Sequence, residues 1–297
     1  MSTSRNPPPP WHGWLALGLL PIAVLVVAPA TWPRWALMWV LSIALFAGCK
    51  WLTWRRRRVI DAPGWLHVAY LFAWPGLDAD GFLRSRPGFA RHAVPRREWV
   101  GAGVKAALGI ALFWGAPRLL PADHPLAVGW LGMIGFIFIA HVGLFHLLSC
   151  AWRTAGVNAR PLMLRPLASQ SLAEFWGRRW NTAFRDLTHR FLFRPLTTRF
   201  GPRTALVVGF VFSGLVHDLV ISVPAGGGYG GPTLYFLLQA LAMMLERSRR
   251  GRRAGLGAGW RGRGFTVLVL AVPVPLLFHP PFVRDVVVPF MHAAGVP

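Results

Sequence analysis

The sequence predicts an all-α, polytopic integral membrane protein with about seven to eight transmembrane helices plus interfacial amphipathic helices. Three observations carry this. Hydrophobic residues make up 54% of the 297-residue chain. Apolar runs close to the ~20 residues that cross a bilayer recur along its whole length. Between them lie arginine-rich connectors, which leave a formal net charge of +22. Membrane strands would read as alternating segments of roughly ten residues, whereas these runs are longer and apolar on every side.

Residues 1–10, MSTSRNPPPP, form a proline-rich tail expected to be extended or disordered, and residues 11–297 read as a single membrane-embedded domain. Trp14–Thr31 is the first apolar run. Its Ala28-Pro29-Ala30 ending looks like a signal-peptidase site, but the membrane-embedded remainder favours retention. Trp35–Trp51 follows and ends in Lys50 and the block Arg55–Arg58, which the positive-inside rule puts in the cytosol. Pro63–Leu77 is apolar but short, with arginines on both sides, so a span and an interfacial or re-entrant element both stay open.

Trp99–Gly115 and Leu126–Leu148 read as spans joined by an outward turn around Pro121-Ala122-Asp123. A cytosolic connector with ten arginines then runs from Ala151 to Arg203. Thr204–Val223 re-enters the membrane, Ala225–Gly231 makes an outer glycine-rich loop, and Pro232–Leu245 returns to the basic stretch Arg247–Arg263. Gly264–Phe282 is the last run, where Pro273 and Pro275 predict a kinked helix held by its neighbours. This alternation puts the basic loops on the cytoplasmic face of a multi-pass protein, read as one of a bacterial inner membrane.

Several function classes lose support at this level. The basic residues are scattered over short connectors, with no compact basic face, which argues against nucleic-acid binding. Cys49 and Cys150 are the only cysteines, so a disulfide on the reducing side is not expected. No close Cys/His/carboxylate cluster is apparent, and no metal or other cofactor is expected. The Gly226–Gly228 run lacks the strand-to-helix context and the lysine of a phosphate loop, and reads as a flexible outer turn.

The informative stretch is Ser171–His217. An ionisable group inside an apolar span is costly and therefore a functional-site candidate. His217 is thirteen residues into the helix that begins at Thr204, or roughly 20 Å along it. It must face a polar cavity or a protein partner. A neutral ring there can serve as a general base for a hydroxyl, or it can be a structural histidine bonded to a carbonyl. Ser213 lies one turn earlier on the same face, and Gly209 and Gly214 narrow the helix for close approach. Asp218, the next residue, points about 100° away.

Upstream, Ser171 and Glu174 form an S-x-x-E capping pattern for a helix carrying Trp176, Arg178, Arg179, Trp180 and Asn181 and continuing past Phe191. It reads as an amphipathic helix at the cytosolic interface, with tryptophans at headgroup level. Arg178 and Arg179 either anchor that helix or receive a phosphorylated substrate. Asn181 is placed to make a specific hydrogen bond near a reacting centre.

At these residues the chain resembles the wax synthase-like branch of the membrane-bound O-acyltransferase family. Ser171–Asn181 (SLAEFWGRRWN) is similar to that branch's S-L-x-x-F-W-G-R-R-W-N signature, and Phe212–Leu219 (FSGLVHDL) to its histidine span. Pro232-Thr233 opening the next run also fits. The resemblance implies transfer of an acyl group from acyl-CoA to a hydroxyl, often of a long-chain alcohol, with membrane lipids around the site. It carries the essential histidine onto His217 and the connector's polar residue onto Asn181. Trp176, Arg178, Arg179, Trp180, Ser213 and Asp218 are then expected to bind substrate. Asp218 departs from the glutamate of the branch's plant members, which leaves its role open. Rival readings are a transporter or channel with a histidine proton relay, a non-catalytic membrane scaffold, or an acyltransferase for a sterol, polyketide-like alcohol or sugar.

Overall fold

A computed structural model describes residues 12–85, 94–121 and 124–296. The proline-rich tail, Arg86 and Arg91, and Ala122-Asp123 of the expected outer turn lie outside the described residues.

Every regular element among the described residues is helical, and none is a strand. In chain order the main helices are α1 (His12–Val27), α2 (Arg34–Arg55), α3 (Gly64–Phe72), α4 (Ala79–Leu83), α5 (Arg96–Leu119) and α6 (Pro125–Thr154). There follow α7 (residues 172–179), α8 (Thr182–Ala225), α9 (Gly231–Arg247), α10 (Gly259–Leu277) and α11 (residues 280–293). Five of them, α2, α5, α6, α8 and α10, are long and apolar enough to cross a membrane. The expectation of an all-α polytopic protein holds, although the number of such helices is below seven to eight. The runs Trp14–Thr31 and Pro232–Leu245 fold as helices of only 16 and 17 residues. Pro29 and Pro33 follow α1, and Gly230, left-handed at φ 79°, sets the start of α9.

Small residues let the spans pack closely. A Cβ on Gly48 of α2 would lie 2.6 Å from the Leu17 backbone of α1. Gly109 of α5 and Gly135 of α6 meet the facing backbone at 2.5 and 2.7 Å in the same sense. Gly214 of α8 would strike the Thr233 Cα of α9 at 2.5 Å, so these two helices touch backbone to backbone beside His217.

The Pro63–Leu77 segment does not cross. α3 has nine residues, about 14 Å of helix, and its Leu66 and Tyr70 are fully buried against Leu52 and Phe82. Lys50, buried near the end of α2, donates 2.7 and 2.6 Å hydrogen bonds to the carbonyls of Tyr70 and Gly76 and lies 3.7 Å from the Tyr70 ring centroid. This amine, bonded to the Tyr70 carbonyl in the last turn of α3 and to the Gly76 carbonyl beyond it, fixes that short element in place.

Candidate active site

Ser171 caps α7, its Oγ accepting the Glu174 N–H at 3.0 Å, while Glu174 accepts the Gln170 N–H at 2.8 Å. This is the expected capping pattern shifted back by one donor. Glu246, buried at the end of α9, accepts the Leu172 N–H at 2.6 Å and the Ala173 N–H at 3.3 Å. The start of α7 is thereby fastened to α9.

The single helix expected from Ser171 through Phe191 is in fact two. After a π-helical turn at Phe175–Arg179 the chain breaks at Asn181, which adopts the left-handed conformation at φ 39°. Asn181 then caps the next helix, its Oδ1 accepting the Phe184 N–H at 3.2 Å. Asparagine suits this place because it tolerates the left-handed region and caps helices well. Its amide NH2 remains as a donor group. α8 continues from here through a second break at Gly201 (φ 80°) followed by Pro202, and carries Ser213, Gly214 and His217 into the apolar layer.

His217 Nδ1 lies 2.6 Å from the carbonyl oxygen of Ser213. A carbonyl only accepts, so the ring's proton is on Nδ1, and Nε2 carries the free lone pair. The ring sits 4.6 Å from the Phe236 ring of α9.

His217 and Asn181 open onto the same cavity, of about 540 Å³. Trp176, Trp180 and Ser213 line it as well, so five of the eight sequence-derived site residues converge. Phe184, Phe193, Leu206, Phe210 and Phe236 give the space its apolar wall. Trp176 stands edge-on to Phe210 at 5.7 Å and is 5.6 Å from Phe236, and Trp180 stacks on Phe175 at 5.5 Å. A Cβ on Gly209 would meet nothing within 4 Å, so the cavity reaches the helix backbone there.

Arg178, Arg179 and Asp218 do not line this cavity. Arg178 is exposed. Arg179 is committed to Glu174, with Nε 2.8 Å from Oε1, and to the carbonyls of Leu164 and Arg165 at 3.1 and 3.3 Å. The Gln170 N–H and the Arg179 guanidinium hold the Glu174 carboxyl below the usual carboxylate range. Among the described residues, Asp218 pairs with no arginine. It accepts the N–H groups of Gly230 at 2.8 Å and Thr233 at 3.1 Å and the hydroxyls of Thr233 and Ser222, so it caps α9 and orders the glycine-rich loop. That loop, expected to be flexible, is held further by Ser222, whose Oγ lies 3.4 Å from the Gly228 carbonyl oxygen.

The cationic side chains that do line the cavity are Arg185 and Arg247, with His189 beside them. Sequence reasoning had no signal for this pair, since their convergence depends on α9 folding back along α8. The two histidines within α6, His141 and His146, stand in an apolar run that conceals them. His146 Nε2 lies 3.0 Å from Glu98, whose two oxygens also take Arg153 at 2.8 Å each, and Lys105 stands 3.3 Å from His146 Nδ1. Glu98, His146 and Cys150 hold ligand atoms within 4.8 Å of one another, but Arg153 and Lys105 set positive charge against any metal ion there. The spans are therefore less free of charge than their hydropathy suggests.

Residues 159–238 match the membrane bound O-acyl transferase family, a range that contains α7, Asn181 and His217. Over 148 residues the chain is 30% identical to a long-chain-alcohol O-fatty-acyltransferase of Simmondsia chinensis. Over 144 residues it is 28% and 26% identical to two Arabidopsis thaliana proteins described as probable long-chain-alcohol O-fatty-acyltransferases. Each aligned stretch covers 44% of this chain and 40–42% of the relative, so the match spans well under half of the relatives' own length. Family match and relatives agree with the two motifs: this is an integral membrane protein that resembles the wax synthase-like branch of the membrane-bound O-acyltransferase family.

Proposed function

We propose that the protein is an O-acyltransferase that moves a fatty acyl group from acyl-CoA to the hydroxyl of a long-chain alcohol. The observation that carries this reading is the shared cavity: a histidine with its Nε2 lone pair free and an asparagine amide open onto one aromatic-walled space within the apolar layer. The relatives' printed names supply the alcohol and the fatty acyl group as the substrates to test first.

His217 Nε2 takes the proton of the acceptor hydroxyl as its oxygen attacks the thioester carbonyl. The amide of Asn181 supports the oxyanion or orients a reacting group. When the C–S bond breaks, His217 returns the proton to the leaving thiolate. The products are an ester and a free thiol, with no covalent acyl-enzyme and no net proton change. Arg185 and Arg247 receive the donor's phosphates in preference to Arg178 and Arg179. The reaction needs no metal and no resident cofactor, and the basic loops face the cytoplasm, where acyl-CoA is available.

Purified protein in liposomes, given a labelled long-chain acyl-CoA and a panel of alcohol, sterol and sugar acceptors, is expected to form ester with the long-chain alcohol. Ester formed only on a sterol or sugar would overturn the acceptor assignment. No ester with any acceptor, from folded protein, would remove the transferase reading.

A further inference from the structure

A second concavity, of about 820 Å³, lies where the C-terminal end of α2 meets the start of α1 and the 189–195 turn of α8. The four consecutive arginines Arg55–Arg58 line it together with Arg84, Arg190 and Arg194, and Asp80 is the one carboxylate among the lining residues. Asp80 is already spent inside the fold. Its Oδ1 accepts the Arg58 and Val59 N–H groups at 2.6 and 3.2 Å, and its Oδ2 pairs with Arg190 at 3.2 Å. The segments 1–11 and 86–93, whose placement is not described, contain no Asp or Glu that could balance the rest.

Seven guanidiniums around one neutralised carboxylate repel one another, and a concave wall raises the positive potential further. Burial and the charge of Arg55 press the Arg57 guanidinium below its ordinary range; its Nη1 donates to the Trp54 carbonyl at 2.7 Å, while its Nε is buried without a hydrogen-bond partner among the described residues. A dense anion relieves that repulsion, and guanidiniums match phosphate oxygens in a bidentate way.

The surroundings identify the anion. Trp14 and Phe191 pack edge-on at 5.9 Å in the wall, while Trp51 and Trp54, 5.3 Å apart, underlie Arg55 and Arg57. Tryptophans at this level mark the headgroup layer. Past Trp14, α1 exposes Leu15 and Leu19, a surface on which acyl chains can lie. Basic pockets at the ends of membrane helices are suited to anionic headgroups. We propose that this pocket binds the headgroup of a membrane phospholipid that carries two phosphates. The site is separate from the His217 cavity, although His189 borders both, and a binding readout tests it whether or not the chain transfers acyl groups.

The test uses the full-length protein in detergent, titrated with diphosphatidylglycerol or with phosphatidylcholine, with lipid retention read by native mass spectrometry and melting temperature read in parallel. The diphosphate lipid is expected to be retained and to raise the melting temperature, and phosphatidylcholine to do neither. Replacing Arg58 and Arg194 together by Gln should weaken retention about twenty-fivefold, at about fivefold per arginine. Arg250→Gln with Arg253→Gln, in another basic loop, should leave it unchanged. Arg55→Gln with Arg84→Gln serves as a second pair if the first does not fold. Inorganic pyrophosphate, lacking acyl chains, should bind at least a hundredfold more weakly than the lipid. Equal retention of both lipids, equal loss in the control pair, or pyrophosphate binding as tight as the lipid's would overturn the proposal.

Discussion

The imidazole Nδ1 of His217 and the backbone carbonyl of Ser213, 2.6 Å apart on consecutive turns of α8, fix which ring nitrogen can act as a base. The bond uses backbone, so the helix itself sets the tautomer. It also answers the question the sequence leaves open about this histidine. The ring is bonded to a carbonyl, but to one of its own helix, and Nε2 is left toward the cavity that Asn181 shares.

Asn181 has two separable duties, a left-handed cap and a cavity-facing amide. Asn181→Ala keeps neither and is expected to cost about 2–3 kcal/mol of stability, from the lost cap and the left-handed strain. Asn181→Gly relieves the strain and should be destabilised by only a few tenths of a kcal/mol. Both should lower ester formation about a hundredfold, because both remove the amide. Near-normal activity in the Gly variant, measured beside thermal melts, would show that Asn181 only shapes the chain.

The elements that this chain's sequence reveals are those encoded locally. His217 and Asn181 are visible because an ionisable or amide group stands out in an apolar or aromatic context, and Ser171 because its cap partner is three residues away. Arg247 and Phe236 join them only through the pairing of α8 with α9, which no local pattern specifies. The break at Asn181 is hidden for a related reason. A left-handed asparagine is indistinguishable in sequence from a polar residue inside a helix. Glu98 and His146 are 48 residues apart, and His146 lies in a run whose hydropathy conceals it.

Gly214 is where α8 and α9 touch. A methyl group there would lie 2.5 Å from the Thr233 Cα, so Gly214→Ala must part the two helices. The expected loss is about 1–3 kcal/mol of stability, with displacement of Phe236 from His217 and reduced turnover. Gly209→Ala, which meets nothing within 4 Å, should melt like the wild type. Equal melting of the two variants would contradict this packing.

Among the connector arginines, position in the cavity separates donor binding from anchoring. Arg185→Gln and Arg247→Gln are expected to raise the KM for acyl-CoA several-fold, with the difference from wild type shrinking as salt screens the charge. Arg178→Gln, on an exposed side chain, should leave KM unchanged. The reverse ranking in steady-state kinetics would return the donor's phosphates to Arg178.

Glu174 gives the connector a pH dependence. Its carboxyl is held below the ordinary value by the Gln170 N–H and by Arg179, so the folded state favours the ionised form. That contribution is complete above the ordinary glutamate pKa of about 4.3 and fades as pH falls through the lower folded value. Wild type should therefore melt above Glu174→Gln at neutral pH, and the gap should close in acid below about pH 4. A gap that is constant with pH would assign the stabilisation to packing instead.

The most direct test of the proposed chemistry compares wild type with His217→Ala for transfer of a labelled acyl group to a long-chain alcohol. Both proteins are reconstituted in liposomes and shown by melting to be folded. Ester formation is expected to fall by about 10²–10⁴-fold in the variant, the usual worth of a general base. Transfer retained within a few-fold of wild type would contradict the assignment of His217 as the base.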